Sequence, residues 1–560
     1  MCRAPLPPFI ILLVLIPILL LPVSAFRISE FCPDTYLPRD ADSYFVLEGA
    51  GSLEGITISD GEGTLRFPPN SSSTGRVTVA DEALAYRRVH GRLPDYELAN
   101  SSPAVPEMGR TGSFAMANPR DELALSDGKG EVQTVHWPGD VHPREGQVHF
   151  LSGSAWDPRI LLLGQSQFPL ETFRNGTVTA FVSPDSSFQV IEEVILAARE
   201  EILVNAYELS HPGIGELLTA ARRRGVSVSV LLEGGPVGGI STEERSVCAA
   251  MNRSGIPLLI MATTDSAHAR YRYNHAKYMV VDGRMVLVST ENFGLHGYPP
   301  QGSRGNRGWG VLIEDPGVAR YFGEVFSSDT TGEDVVPYTP ALWGTFTPGL
   351  IPAYQPRFSP IRVTDVTVTP ILAPDTSGEI FSLIARAGEQ IEIEQATIGN
   401  DSSGRLNPFL AAAVNASRRG IRVRILLDGG RYSVEGGEDN DEMADLVNGI
   451  AGRESLPIAA RMLEPGPSNL VTLHTKGMIV DRQIVMISSI NWNENSPNFN
   501  REAGVILESP ALGSYYSSVF EEDWARAGEA GGAPGPDMVR LAMTGVVIFI
   551  LLLLFLRRRR

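Results

Sequence analysis

The chain reads Asn274-His275-Ala276-Lys277-Tyr278-Met279-Val280-Val281-Asp282, and further on it reads Leu473-His474-Thr475-Lys476-Gly477-Met478-Ile479-Val480-Asp481. These two nonapeptides are called the first and second motifs. Side chains on an extended strand point the same way at every second residue, so the histidine and the lysine of each motif share one face. Each motif therefore presents an imidazole beside an ammonium.

Each motif begins a predicted β-hairpin. The first turns at Asp282-Gly283, a strong hairpin dipeptide, and returns through the apolar run 285–288. The second turns after Asp481, at Arg482-Gln483, and returns through 484–487. We expect the two turn aspartates, Asp282 and Asp481, to be structural.

The return strands end in small polar residues, which lie at Ser289, Thr290, Glu291 and Asn292 in the first copy and at Ser488, Ser489, Ile490 and Asn491 in the second. The hairpins should carry each asparagine back beside the histidine of its own motif. Only three of the 47 basic residues are lysines, at positions 129, 277 and 476. A compact ammonium kept at two equivalent sites suits a tightly held phosphate.

Two copies of H-x-K-x4-D, each followed by a Ser/Thr-x-Asn element, resemble the phospholipase D superfamily. The second copy also matches a longer pattern of that family through Ser496 and Asn500-Arg501-Glu502. The first copy departs from it, because 294–305 reads as an insertion and Gly308 stands where the second copy has Glu502. The resemblance covers roughly residues 168 to 526, and two complete motifs are a specific pattern.

The resemblance implies one active site made by both motifs, without metal or cofactor. One neutral histidine attacks phosphorus and forms a phosphohistidine, and the other, protonated, donates to the leaving alcohol. By family habit His275 is the nucleophile and His474 the acid. The groups expected to hold the phosphoryl oxygens are Lys277, Lys476, Asn292 and Asn491, with possible assistance from Ser289, Thr290, Ser488 and Ser489.

The orientation of the histidines should differ between the halves. Glu502 is expected to accept a hydrogen bond from the ring of His474. His275 lacks the equivalent partner, because position 308 is glycine and Glu291 alternates onto the opposite face of its strand, so another acid is expected to serve.

A repeat about 195 residues long underlies the two motifs. Strand and helix patterns alternate in both copies, which predicts a duplicated α/β unit with two halves at 168–334 and 361–526, joined by a Pro-rich linker at 335–360. The resemblance implies that the mixed sheets of the halves pack face to face about a pseudo-two-fold axis.

The segment 26–138 has short β-type runs separated by turn residues, which predicts an all-β, immunoglobulin-like sandwich. Three stretches, at 28–33, 58–61 and 121–128, resemble the lamin-tail domain, and the analogy suggests a role in binding a surface ligand or recruiting substrate. A connector is expected at 139–167. The fold class is therefore multidomain, an all-β sandwich followed by a duplicated α/β pair and one C-terminal transmembrane helix.

Both ends of the chain carry apolar runs. Residues 1–25 are typical of a signal peptide, with an uncleaved anchor as the alternative. A flexible spacer at 527–540 precedes a predicted transmembrane helix at 541–556 and an Arg cluster at 557–560, which predicts a single-pass cell-membrane protein with its catalytic region outside. A sorting signal exchanged for a lipid anchor is the alternative. Cys32 and Cys248 are too few for a disulfide framework, and the spacing indicates no metal site.

Three functions remain open from the sequence. The first is a surface-tethered phospholipase D-like phosphodiesterase or phosphatidyltransferase that acts on phospholipid headgroups. The second is an extracellular endonuclease using the same site, although a net charge of −18 argues against a surface that coats nucleic acid. The third is a non-catalytic adhesion protein that binds through its β-sandwich.

Overall fold

A computed structural model describes residues 26–265, 267–340, 349–400, 404–435 and 440–529. These residues form two compact units that divide after Gly164. The predicted signal peptide, most of the spacer, the predicted transmembrane helix and the terminal Arg cluster lie outside the described ranges. Within those ranges, no helix combines the length and the apolar character that a membrane crossing needs.

The first unit consists mainly of strands. They are β1 (Arg27–Cys32), β2 (Tyr44–Ser52), β3 (Thr57–Ser59), β4 (Gly63–Arg66), β5 (Ser72–Ala80), β6 (Tyr96–Glu97), β7 (Gly109–Gly112), β8 (Asp121–Ser126), β9 (Glu131–Trp137), β10 (Gln147–Ser152), β11 (Ala155–Trp156) and β12 (Leu161–Leu162). Helix α1 (Ala83–His90) follows β5, and a 3-10 turn spans Pro38–Asp40.

These strands make two sheets that pack against each other. One sheet has the order β11-β10-β1-β2-β5-β6, with β12 also paired to β10, and the other has the order β7-β4-β3-β8-β9. Phe45 and Val79 of one sheet share a buried core with Ile58 and Leu125 of the other. The region is therefore β-rich, as expected. The segment 139–167 differs from the predicted connector, because it supplies β10, which pairs with β1.

The second unit begins with a half whose strands are β13 (Phe173–Ser183), β14 (Glu201–Ala206), β15 (Ser227–Glu233), β16 (Leu258–Met261), β17 (Lys277–Val281), β18 (Met285–Ser289), β19 (Gly308–Glu314) and β20 (Val335–Pro337). Its helices are α2 (Ser187–Ala197), α3 (Pro212–Arg223), α4 (Thr242–Arg253) and α5 (Pro316–Asp329). Ser241 and Asp315 begin α4 and α5 as N-caps, since each side chain accepts backbone N–H groups of the first turn.

The second half repeats this order. Its strands are β21 (Ile361–Ala373), β22 (Gln390–Gln395), β23 (Arg422–Asp428), β24 (Ile458–Leu463), β25 (Lys476–Val480), β26 (Ile484–Ser488), β27 (Glu502–Glu508) and β28 (Gly528–Glu529). Its helices are α6 (Glu379–Ala385), α7 (Pro408–Arg418), α8 (Arg431–Glu435), α9 (Asn440–Glu454), α10 (Pro465–Ser468), α11 (Asn495–Phe499) and α12 (Pro510–Arg526).

One sheet of sixteen strands runs through both halves, in the order β20-β16-β15-β14-β17-β18-β19-β13-β21-β27-β26-β25-β22-β23-β24-β28. The antiparallel pairing of β13 with β21 joins the halves. Each half contains parallel and antiparallel pairs, which confirms the predicted duplicated mixed sheets. The halves also share a core, since Val280 and Val288 pack in one cluster with Ile479 and Val485. The sheets therefore face each other and are also continuous along one edge.

The predicted hairpins are present as β17–β18 and β25–β26, although the second turns at Asp481-Arg482, one residue before the predicted Arg482-Gln483. Both turn residues have positive φ in each copy, at Asp282-Gly283 and at Asp481-Arg482, as hairpins with a two-residue turn of the I′ type require. The Asp282 carboxylate accepts the backbone N–H groups of residues 199–201, and the Asp481 carboxylate accepts those of residues 388–390. These two aspartates thus fix each hairpin to the start of the adjacent strand.

Candidate active site

Each motif places its histidine just before a strand and its lysine at the first residue of that strand. The Lys277 ammonium donates to the His275 carbonyl at 2.7 Å, and the Lys476 ammonium donates to the His474 carbonyl at 2.8 Å. Both lysines are fully buried, while the histidine side chains remain 14% and 25% exposed. A reagent entering the site therefore meets the imidazoles first.

The histidines are held by the opposite half of the unit. The backbone N–H of His275 donates to the carbonyl of Arg501, and that of His474 donates to the carbonyl of Arg307, both at 2.8 Å. Arg501 belongs to the second half and Arg307 to the first. The two motifs therefore lie against reciprocal segments about the pseudo-two-fold axis, in one site.

Each histidine also contacts a carboxylate that comes from the opposite half. Nδ1 of His275 lies 2.8 Å from Oε2 of the buried Glu502 and is hydrogen-bonded to it. Burial alone would raise the pKa of Glu502, but its interactions with His275, including their hydrogen bond, and with Lys277 lower it, so the carboxylate is ionised. An ionised acceptor fixes the proton on Nδ1 and leaves Nε2 of His275 with its lone pair free.

The second histidine has a carboxylate from the first half. Nδ1 of His474 lies 3.3 Å from Oε1 of Glu291, near enough for an ion pair but outside hydrogen-bond geometry. The expected pairing of Glu502 with His474 is therefore wrong, and Glu502 is the other acid that serves His275 in place of residue 308. Glu291 does point away from His275, but that direction faces the other half.

Burial and two ammonium groups lower the pKa values of both motif histidines. Burial lowers the pKa of His275 to about 4, with Glu502 opposing the shift. The pKa of His474 is lowered mainly by burial and then by Lys476, with Glu291 opposing. Both imidazoles are thus neutral near pH 7 before substrate binds. A phosphodiester anion beside them favours the protonated form of whichever ring acts as the acid.

Two cavities reach the site, one from each half. The cavity on the second half has a volume of about 530 Å³ and is lined by His474, Asn491 and Ala396 among others. The cavity on the first half has a volume of about 330 Å³ and is lined by Asn292 and Glu291 among others. The amide oxygens of both asparagines are buried and lack a hydrogen-bond partner in the described part of the chain, so each can accept a hydrogen bond from a ligand hydroxyl.

The four hydroxyls expected to assist bind the backbone instead. Ser289 accepts from the N–H of Glu291, and Thr290 accepts from the N–H of Trp309. Ser488 and Ser489 bond in the same way to backbone groups near the ends of β25 and β27. These side chains therefore hold the ends of the strands together.

Tyr207 belongs to the site although no motif marks it. Its ring lies 4.7 Å from that of His275 at a steep angle, and the Lys277 ammonium lies 5.2 Å from its centre. The equivalent position after β22 is Ala396, which lines the open cavity beside His474. The two histidines thus differ in access, since a tyrosine covers one and a cavity opens beside the other. Comparing the repeats at the ends of β14 and β22 would have found this difference.

Two fully buried arginines cross-link the halves below the site. Arg501 pairs with Asp329 of the first half and Asp375 of the second, each at 2.9 Å. By the pseudo-symmetry, Arg307 pairs with two aspartates, Asp523 of the second half at 2.6 Å and Asp185 of the first at 2.8 Å. These are the same arginines whose carbonyls bind the motif histidines.

A family model described as "Cardiolipin synthase, PLD-like domain" matches residues 191–330 and 380–524, one stretch in each half. The chain belongs to this family. It is a phospholipase D-like enzyme whose catalytic unit is duplicated within one chain.

Two curated relatives of this PLD-like chain carry related names. Cardiolipin synthase A of Pseudomonas aeruginosa is 24% identical over 370 residues, which cover 64% of this chain and 68% of the relative. Mitochondrial cardiolipin hydrolase of Xenopus tropicalis is 24% identical over 180 residues, or 32% and 74% of the two chains. Among solved structures, phosphatidylserine synthase of Haemophilus influenzae is 14% identical, with a TM-score of 0.46 and coverage of 66% of this chain and 93% of that one.

Proposed function

We propose that the protein cleaves the headgroup ester of phospholipids through a phosphohistidine and passes the phosphatidyl group to water or to an alcohol. The observation that carries this proposal is the reciprocal pairing of two motif histidines with two buried carboxylates, each pair made by both halves. Such a site supplies a nucleophile, an acid and cations for one phosphoryl group. The names of the relatives favour a phospholipid as substrate.

His275 is assigned the nucleophilic role. Its Nδ1 proton is fixed by Glu502, and burial keeps the ring neutral, so Nε2 is free to attack phosphorus. The bond from phosphorus to the headgroup oxygen breaks as the phosphorus–nitrogen bond forms. The attacking and leaving atoms lie roughly in line, so the headgroup leaves on the side away from His275.

His474 is assigned the acid–base role because it lines the open cavity. It donates its proton to the departing alkoxide, which leaves as the free alcohol. It then takes a proton from water or from an acceptor alcohol, whose oxygen attacks phosphorus and releases His275. Lys277, Lys476 and the two asparagine amides hold the non-bridging oxygens during both steps.

A nucleic-acid substrate is disfavoured by charge. The chain has a formal net charge of −18, and Glu208 and Glu243 line the first-half cavity together with Glu291. A polyanion binds through many cationic contacts, which such a surface does not supply. Adhesion without catalysis is disfavoured because both histidines retain their lysine, asparagine and carboxylate neighbours.

The same proposal places the enzyme at the outer face of a membrane. It rests on the predicted signal peptide at 1–25 and the predicted transmembrane helix at 541–556, with the lamin-tail-like first unit binding a surface ligand. Intact cells treated with an external protease should lose the catalytic unit. Full protection of the catalytic unit from the protease would contradict this placement.

The proposed role of the first unit has its own test. Deleting residues 26–164 should reduce surface binding and leave the catalytic rate unchanged.

The catalytic proposal is tested with the purified protein in chelator, on phosphatidylglycerol vesicles and on plasmid DNA. We expect free headgroup from the vesicles, loss of this activity in His275→Asn and in His474→Asn, and intact DNA. With ³²P-labelled lipid, the wild type quenched during turnover should carry acid-labile label and His275→Asn should carry none. Headgroup release that survives both substitutions, or no release by the wild type, would refute the proposal.

A further inference from the structure

The carboxylate beside His474 comes from a different place in the repeat than the carboxylate beside His275. Ser289 pairs with Gly310 across β18 and β19, and Ser488 pairs with Gly504 across β26 and β27. By this register, position 308 is equivalent to 502 and position 291 to 490. At these two pairs of positions the first half has Glu291 and Gly308, and the second half has Ile490 and Glu502.

We propose that Glu291, at the end of β18, is the positioning residue for His474. It takes the role of the carboxylate missing at position 308, which is equivalent to Glu502 at the start of β27. This inference rests on the proposed function and identifies which group orients the acid–base histidine. Three observations carry it.

The first observation is the space at Gly308. A Cβ atom built there would lie 2.3 Å from Oε1 of Glu291 and 2.5 Å from its Cγ. No side chain fits at position 308 while Glu291 holds its present rotamer, so the two carboxylate positions exclude each other. The φ angle of Gly308 is not in the left-handed region. The backbone conformation therefore does not require glycine here, and the close contact with Glu291 is the packing reason for it.

The second observation is the partner of each carboxylate. The Asn306 amide donates to Oε2 of Glu291 at 2.9 Å, and the equivalent Asn500 amide donates to Oε1 of Glu502 at 3.0 Å. The same asparagine of the repeat thus holds whichever carboxylate is present. The asparagine donor thus lies at the same position in both repeats, whereas the carboxylate that accepts its hydrogen bond lies at different positions.

The third observation is burial. Glu291 is 1% exposed, and its pKa is lowered: burial would raise it, but the interactions with His474 and Lys476 outweigh burial. A buried carboxylate held ionised beside one imidazole orients that ring. The contact is longer than that of Glu502 with His275, and Glu502 has a second neutral donor, the Ser496 hydroxyl at 2.6 Å. His474 is therefore held less rigidly, which suits a ring that donates and later accepts a proton.

The test rewrites the first half with the residues of the second. Glu291→Ile and Gly308→Glu are made singly and together, in the full chain, with Glu193→Gln on the exposed face of α2 as the control. Headgroup release from phosphatidylglycerol vesicles should fall about 100-fold in Glu291→Ile, as loss of a positioned general acid predicts. Headgroup release by Gly308→Glu should fall as far, because the new side chain crowds Glu291. Release by the double variant should return to within about tenfold of the wild type.

A second measurement separates positioning from simple packing. The facing charges are Glu291, Lys476 and Lys277, and of these only Glu291 raises the pKa of His474. In NMR titrations Glu291→Ile, and also Glu291→Gln, should therefore lower the pKa of His474, and the double variant should restore it. These shifts are measurable even if no lipid is cleaved, so failure of the proposed function is distinguished from failure of this inference. Unchanged release and an unchanged pKa in a folded Glu291→Gln protein would overturn it.

Discussion

Replacing Arg501 with alanine should destabilise the catalytic unit by about 3–5 kcal/mol, the usual loss when one partner of a buried ion pair is removed. Arg501 is fully buried between Asp329 and Asp375, and its guanidinium lies 4.4 Å from the ring centre of Tyr271. Without it two carboxylates remain in the interior, and the Ser166 hydroxyl, which donates to Asp375 at 2.7 Å, is neutral and cannot balance their charge. Since typical domains are stable by 5–15 kcal/mol, the loss is a large fraction of the total.

The assay is equilibrium unfolding in urea, followed by tryptophan fluorescence from the buried Trp309 and Trp492. Arg320→Ala is the matched control, because Arg320 forms its ion pairs on the exposed face of α5 and should contribute little. Asp375→Asn added to Arg501→Ala should restore part of the stability by removing one stranded charge. A loss below about 1 kcal/mol, equal to that of the control, would refute the role of Arg501 as a buried cross-link between the halves.

Further predictions concern the pH and the cavity. Burial raises the pKa of Glu394, whose oxygens lack hydrogen-bond partners in the described ranges. The folded state therefore retains a proton that the unfolded state releases, and stability falls as the pH rises above the ordinary carboxyl value. Glu394→Gln should lose less unfolding free energy between pH 5 and pH 8 than the wild type does; an equal loss would contradict this. Burial also lowers the pKa of Lys476 to about 8, so headgroup release should decline above pH 8 as the ammonium is lost, and a flat rate up to pH 10 would contradict this. Ala396→Tyr should fill the cavity beside His474, as Tyr207 covers the other histidine, and lower the ratio of transfer to an added alcohol over hydrolysis; an unchanged product ratio would show that acceptors use another path.

The alternation of residues in the two motifs was sufficient to predict the hairpins. Strand periodicity places His275 next to Lys277 on one face, and the turn at Asp282-Gly283 follows from residue type alone. The duplication was equally visible, because strand and helix patterns recur along the chain at a nearly constant spacing. These features depend on neighbours in sequence, so the sequence determines them directly.

The pairing of carboxylates with histidines could not be predicted in the same way. Glu502 was expected near His474 because the two lie in one repeat, yet it contacts His275 of the other repeat. The exchange arises because β13 and β21 join the halves about a pseudo-two-fold axis, which places the end of each half against the motif of the other.

The hairpins, the duplication and the identity of the reactive side chains could all be read from short-range spacing. The fold was needed to show which carboxylate contacts which imidazole, that Gly308 makes room for Glu291, and that Tyr207 covers one histidine. These contacts join residues far apart in the chain, and burial rather than spacing sets their strength.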